Sequence, residues 1–141
     1  HINFYNAFLD STVVNQNNVN KEKLRALLKE KGLTSTDSLA KPVIEQFNKD
    51  NPSLKTDVEM VANHIDHVVK LAGIDHVGFG SDFDGVDGEL PTGLEDVSCY
   101  PNLIYVLLKR GYTEKDIEKI CYLNTWRVWN KVIEVAKEIQ M

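Results

Sequence analysis

Residues 74–88, IDHVGFGSDFDGVDG, constrain this chain more than any other stretch. Val77 and Phe79 alternate with His76, Gly78 and Gly80, a period of two that runs into an acidic, glycine-rich turn. That pattern predicts a buried strand delivering Asp82 and Asp84 to its C-terminal end, where parallel α/β proteins place their chemistry. Val77 and Phe79 suit packing against helices on one face. His76, Gly78, Gly80 and Asp82 share the other, and glycines there leave room for a ligand, a metal or another backbone.

The rest of the chain reads mainly as helices. HINFYNAFL opens with a short β-like segment, and the asparagine-rich run from Asp10 to Asn20 reads as a loop. Asn20 is placed to cap a helix with a stripe of Leu24, Leu27 and Leu28 and a stop at Gly32. After the connector LTSTDSLA, Val43, Ile44 and Phe47 mark a short helix closed by Asn51-Pro52. Thr56 and Glu59 have capping-box spacing ahead of a helix bearing Val58, Val61, Ile65, Val68 and Ala72, which stops at Gly73. The key strand follows at once, the α-to-β half of a βα repeat. Beyond the loop VDGELPTGLEDVSCY, Pro101 suits the first turn of a helix ending at Gly111, and Thr113 caps another through Ile117 and Ile120. Residues 124–139 continue helically, with Trp126 and Trp129 read as packing aromatics.

Two strands cannot make a stable parallel sheet alone, and five or six helices are more than two strands can cover. The chain also opens on His1 rather than a methionine. The expected fold is therefore α/β: the C-terminal portion of a larger barrel, its other strands on an upstream segment. Sixteen basic against twenty-one acidic residues, with no Lys/Arg cluster longer than two, argue against nucleic acid as a partner. No apolar run approaches the roughly 20 residues of a membrane span. Cys99 and Cys121 are too far apart for a CxxC metal site and read as ordinary thiols.

Several residues could carry chemistry. Asp82 and Asp84 could act together as metal ligand or general base, although aspartate before glycine is also ordinary turn chemistry. His64 and His67 have metal-ligand spacing on a helix, but no Glu or Cys stands at zinc-protease spacing, so the pair reads as a boundary feature. His76 reads as a satisfied core histidine. GFGSDFDG does not fit the dinucleotide fingerprint, because its glycines are wrongly spaced and a long loop follows.

VANHIDHVVKLAGIDHVGFGSDFDGV, with LPTGLEDVSCYPNLIYVLLKRGYTEKDIEKICYLNTWRVW after it, closely resembles the C-terminal part of the renal (membrane) dipeptidase family of zinc metallopeptidases. The similarity covers most of residues 56–131, and NFYN at 3–6 looks like the preceding barrel strand. The resemblance implies a TIM-type (β/α)8 barrel with a binuclear zinc site that hydrolyses dipeptides, in which 10–55 is a variable helical insertion, 74–88 the last barrel strand and catalytic turn, and 101–139 the C-terminal helices. The family's ligands, a His-x-Asp pair, a bridging glutamate and two later histidines, are then expected in the N-terminal part of the same protein, and none lies in this chain. The family's last-strand aspartate, which contacts the metal-bridging water and shuttles its proton, falls on Asp82. Asp84 and Gly85 would shape the pocket edge. Phe8 falls near an aromatic that lies by the substrate in some relatives, but lacks the hydroxyl found there. The LPTGLEDVS loop would line the mouth, and Asn124 and Arg127 match a structural NxxR pattern. A homodimer is among the expected partners. Two other readings stay open: a non-catalytic barrel relative that has lost its metals, and an inactive self-associating fragment whose strand edges pair between copies.

Overall fold

The computed structural model describes residues 1–86 and 88–140; Asp87, within the loop expected after the acidic turn, and Met141 lie outside the described residues. The helices run α1 (Asn6–Leu9), α2 (Ser11–Glu30), α3 (Ala40–Asp50), α4 (Val58–Ala72), α5 (Tyr100–Lys109), α6 (Glu114–Glu118) and α7 (Asn124–Gln140). A π-helical turn, Lys119–Leu123, joins α6 to α7.

The two segments expected as strands do meet, in parallel, but over a shorter length than the sequence suggests. Ile2 pairs with Phe79 in one isolated bridge. The Ile2 amide donates to the Gly78 carbonyl (2.8 Å), the Gly80 amide to Ile2 (2.9 Å) and the Phe4 amide to Ser81 (3.2 Å). Two local features limit the pairing. Ile74–His76 coils into a 3-10 turn where the strand was expected to begin, leaving His76 exposed and not in the core. At the far end Asp82 takes φ +60°, which leaves strand geometry altogether.

Gly78 and Gly80 do leave room, and the occupant is His1. A Cβ on Gly78 would lie 2.7 Å from the His1 ring, and one on Gly80 2.7 Å from His1 Cβ and 3.2 Å from the Ile2 carbonyl. The opposite face buries Val77 in a core with Phe4, Val61, Ile65, Leu103 and Leu107. That core is built from α4, α5 and the paired segments, so it backs directly onto the Asp82 turn.

The helix α2 begins nine residues before the Asn20 cap that the sequence suggested. Its cap is Asp10, whose carboxylate accepts from the Thr12 amide (2.8 Å). The asparagine-rich run contains no Gly or Pro to break a helix, and its polar face is secured from outside. Asn17 donates to the Leu54 carbonyl and accepts from the Leu54 amide, both at 2.9 Å. At α4 the cap is Asp57, which accepts from Met60 N (3.0 Å), and not Thr56. Thr56 is buried and bonds Asn6 Oδ1 through both its amide and its hydroxyl. Glu59, freed from a capping role, pairs with Arg110, the residue that follows α5, which also holds Asp66 (2.5 Å). The stop at Gly73 (φ +92°) stands where the sequence puts it, since few side chains tolerate that backbone. So does the Thr113 cap, which forms a reciprocal box with Asp116, and those hydrogen bonds hold the Asp116 carboxyl below its ordinary value.

Asn124 is buried at the head of α7, and its Nδ2 donates to the carbonyls of Ile74 and Val77, each at 2.8 Å. Arg127 donates to the Asp75 carbonyl (2.6 Å). Together they fasten α7 to the segment that leads into Phe79. In the full-length protein Asn124→Ala is expected to cost about 1–3 kcal/mol, because two carbonyls lose their donor. A urea midpoint unchanged from the parent would show that the clamp contributes nothing. Trp126 and Trp129, expected as core or packing aromatics, are 55% and 60% exposed and so are not in the core.

Candidate active site

Asp82 stands at the end of the paired segments with both of its chain neighbours fixed. Before it, the Ser81 carbonyl accepts from the Phe4 amide and the Ser81 hydroxyl accepts from the Tyr100 phenol (2.9 Å). After it, the Phe83 ring packs edge-on against Phe4 and Tyr100, with centroids 6.0 and 5.6 Å apart. The aspartate between these anchors is exposed, on a backbone that only Asn and Asp adopt with any frequency besides glycine.

Strand parity cannot by itself aim a side chain whose φ is positive. The direction is fixed instead by Asn3, whose Nδ2 donates to Asp82 Oδ2 at 2.8 Å. Asn3 Oδ1 accepts from the Tyr5 amide at 2.7 Å, an Asx turn that orients the whole amide. Asp82 Oδ1 has no protein partner among the described residues. The carboxylate therefore offers one oxygen held from behind and one open in front. Asn3 was overlooked in the sequence, yet HINFYN alternates too: Ile2 and Phe4 face the core, so Asn3 falls on the opposite side.

The other expected site residues do not join the pair. Asp84 and Gly85 are exposed, with Gly85 at φ +74°. Phe8 is 67% exposed on α1, its ring edge-on to Tyr5 at 5.3 Å. The turn is tethered at its far end by Lys55, whose Nζ donates to the Gly88 carbonyl (2.7 Å).

Among the described residues no three His, Cys, Asp or Glu side chains come together. His64 bonds the Leu9 carbonyl through Nε2 (2.8 Å), and His67 on the same helix is exposed. His1 Nε2 lies 3.0 Å from the Thr125 hydroxyl. Cys99 and Cys121 are free thiols. No helix among the described residues is long and apolar enough to cross a membrane.

Comparison with known proteins gives a consistent result. The family model described as membrane dipeptidase (peptidase family M19) matches residues 3–141. An uncharacterized dipeptidase of Schizosaccharomyces pombe is 43% identical over 96 residues, which is 67% of this chain and 23% of that protein. The dipeptidase tcpJ of Claviceps purpurea is 46% identical over 82 residues, 58% of this chain and 19% of that one. Among solved structures, the probable dipeptidase PvdM from Pseudomonas aeruginosa is similar with a TM-score of 0.61 and 29% identity, over 90% of this chain and 35% of that one. The matched region is thus about a fifth to a quarter of the length of the curated relatives.

Proposed function

Because the chain belongs to the membrane dipeptidase family, peptidase family M19, we propose that it is the C-terminal part of a (β/α)8-barrel dipeptidase that uses two zinc ions. The barrel reading is supported by the parallel pairing of residues 1–4 with 78–81 and by the helices packed on its outer face. On this reading the zinc ligands come from segments outside this chain, in line with the lack of a cluster of three His, Cys, Asp or Glu among the described residues. Bound zinc supplies a water acidic enough to lose its proton near neutral pH.

The observation that carries the reading is the half-held carboxylate of Asp82. Oδ2 is occupied by Asn3, and Oδ1 stands open where a proton can be accepted from an attacking water and passed to the leaving amine of a dipeptide. Asp84, Gly85 and Phe8 form the rim against which substrate rests. They are exposed and lie on the elements that flank Asp82, the turn itself and α1.

The test is zinc content and dipeptide hydrolysis measured together on the full-length protein. About two zinc ions per chain, with release of both amino acids from a simple dipeptide, is the expected result. A full-length protein that binds zinc but cleaves no dipeptide would favour the non-catalytic relative. His64→Ala and His67→Ala are expected to leave the zinc content unaltered, because His64 is already engaged with Leu9 and, among the described residues, no third His, Cys, Asp or Glu completes a site around the pair. Loss of one zinc per chain in either variant, measured by atomic absorption, would move a metal site onto α4.

A further inference from the structure

We propose that Asn3 is the positioning residue for Asp82, acting on the reaction only through that carboxylate. The inference rests on the reading of Asp82 as the group that moves the proton. It starts from the chemistry of the Asn3 amide, whose two ends have partners of opposite kind. The Tyr5 amide can only donate, so the atom facing it at 2.7 Å is Oδ1. The Asp82 carboxylate accepts, so the atom facing it at 2.8 Å is Nδ2. The two bonds define the amide orientation without ambiguity and leave the side chain no free rotation.

The aspartate needs such a partner. It is exposed, stands at φ +60°, and has no other side-chain hydrogen bond among the described residues. Without Asn3 its carboxylate would sample several rotamers over the open side of the turn. With Asn3, Oδ2 is fixed and the open Oδ1 is presented in one direction. The framework behind the bond is rigid on both sides. Asn3 lies between Ile2, bonded to Gly78 and Gly80, and Phe4, bonded to Ser81 and fully buried. The donor and the carboxylate therefore belong to one hydrogen-bonded unit, although they are 79 positions apart in sequence.

A residue that only aims a reacting group affects turnover more than substrate affinity, and misplacement by about 1 Å can cost on the order of 100-fold. Asn3→Ala in the full-length, zinc-loaded protein is expected to lower kcat about 10- to 100-fold, with KM changed little and zinc content retained. Asn3→Ser separates the bond from the turn. A serine oxygen can still accept from the amide two residues on, but its side chain is too short to reach Asp82, so this variant is expected to be as slow as Asn3→Ala. In an Asp82→Asn background, adding Asn3→Ala is expected to cause no further loss, the non-additivity of two residues acting as one. If the folded Asn3→Ser variant turns over at the parent rate, or if the two losses multiply in the double variant, Asn3 does not act through Asp82. An Asp82→Asn variant that keeps the parent kcat would instead remove the premise, an outcome distinguishable from a fast Asn3 variant beside a crippled Asp82→Asn.

Discussion

Asp82→Asn in the full-length protein is expected to lower kcat by about two to four orders of magnitude, the usual contribution of a positioned general acid–base group, while the protein stays folded and its zinc content is unchanged. The substitution suits the question because it leaves the shape of the site nearly intact. The new amide oxygen can still accept from Asn3 Nδ2, so the contact between residues 3 and 82 survives. Its neighbours Ser81 and Phe83 are anchored through Tyr100 and Phe4, which the change does not touch. What disappears is the capacity of the open oxygen to take up a proton. Asp84→Asn, by contrast, alters an exposed carboxylate with no hydrogen-bond partner among the described residues, and is expected to cost less than the Asp82 change. The decisive measurement is kcat with zinc determined on the same samples. An unchanged kcat in Asp82→Asn would remove this aspartate from the mechanism, and a loss of zinc alongside activity would recast it as a metal ligand.

The sequence was most legible where one residue type answers one local demand. Gly73 ends α4 because its backbone stands at φ +92°, and Thr113 with Asp116 caps α6 because each side chain meets the other's amide. The family was legible for a similar reason, through contiguous motifs around Asp82, the LPTGLEDVS loop and Asn124. Legibility failed where the deciding contact is distant in sequence. Thr56 has capping-box spacing but is drawn away by Asn6, fifty positions earlier, so Asp57 caps instead. The run from Ser11 to Asn20 has weak helix formers and reads as loop, yet Asn17 grips the backbone of Leu54 and the helix extends through it. Trp126 and Trp129 look like core by composition, but burial depends on what lies opposite. Asp82 combines both cases. Its place at the end of an alternating segment was readable, whereas its orientation depends on a positive φ and on Asn3, neither of which a single stretch of sequence encodes.

The largest expected effect on stability belongs to Phe4, one residue from the Asp82 partner. Its side chain is fully buried, and three aromatic rings surround it edge-on: Phe79 at 6.1 Å, Phe83 at 6.0 Å and Tyr100 at 6.2 Å. Phe79 and Tyr100 stack on each other at 5.5 Å, so these rings form a closed group and not a chain of pairs. Phe4→Ala removes the shared neighbour of all three and is expected to destabilise the full-length protein by about 3–5 kcal/mol, the range for a buried phenylalanine cut back to a methyl. Phe4→Leu fills much of the same space and is expected to lose less than the alanine variant. Because Phe4 also donates its amide to Ser81, loosening this group is expected to slow turnover as well as to lower the urea midpoint. The two readouts separate the roles. If Phe4→Ala loses less than about 1 kcal/mol, within the range of a surface substitution, then the aromatic group does not hold the two segments together. The rigidity attributed to the carboxylate at residue 82 would then need another source.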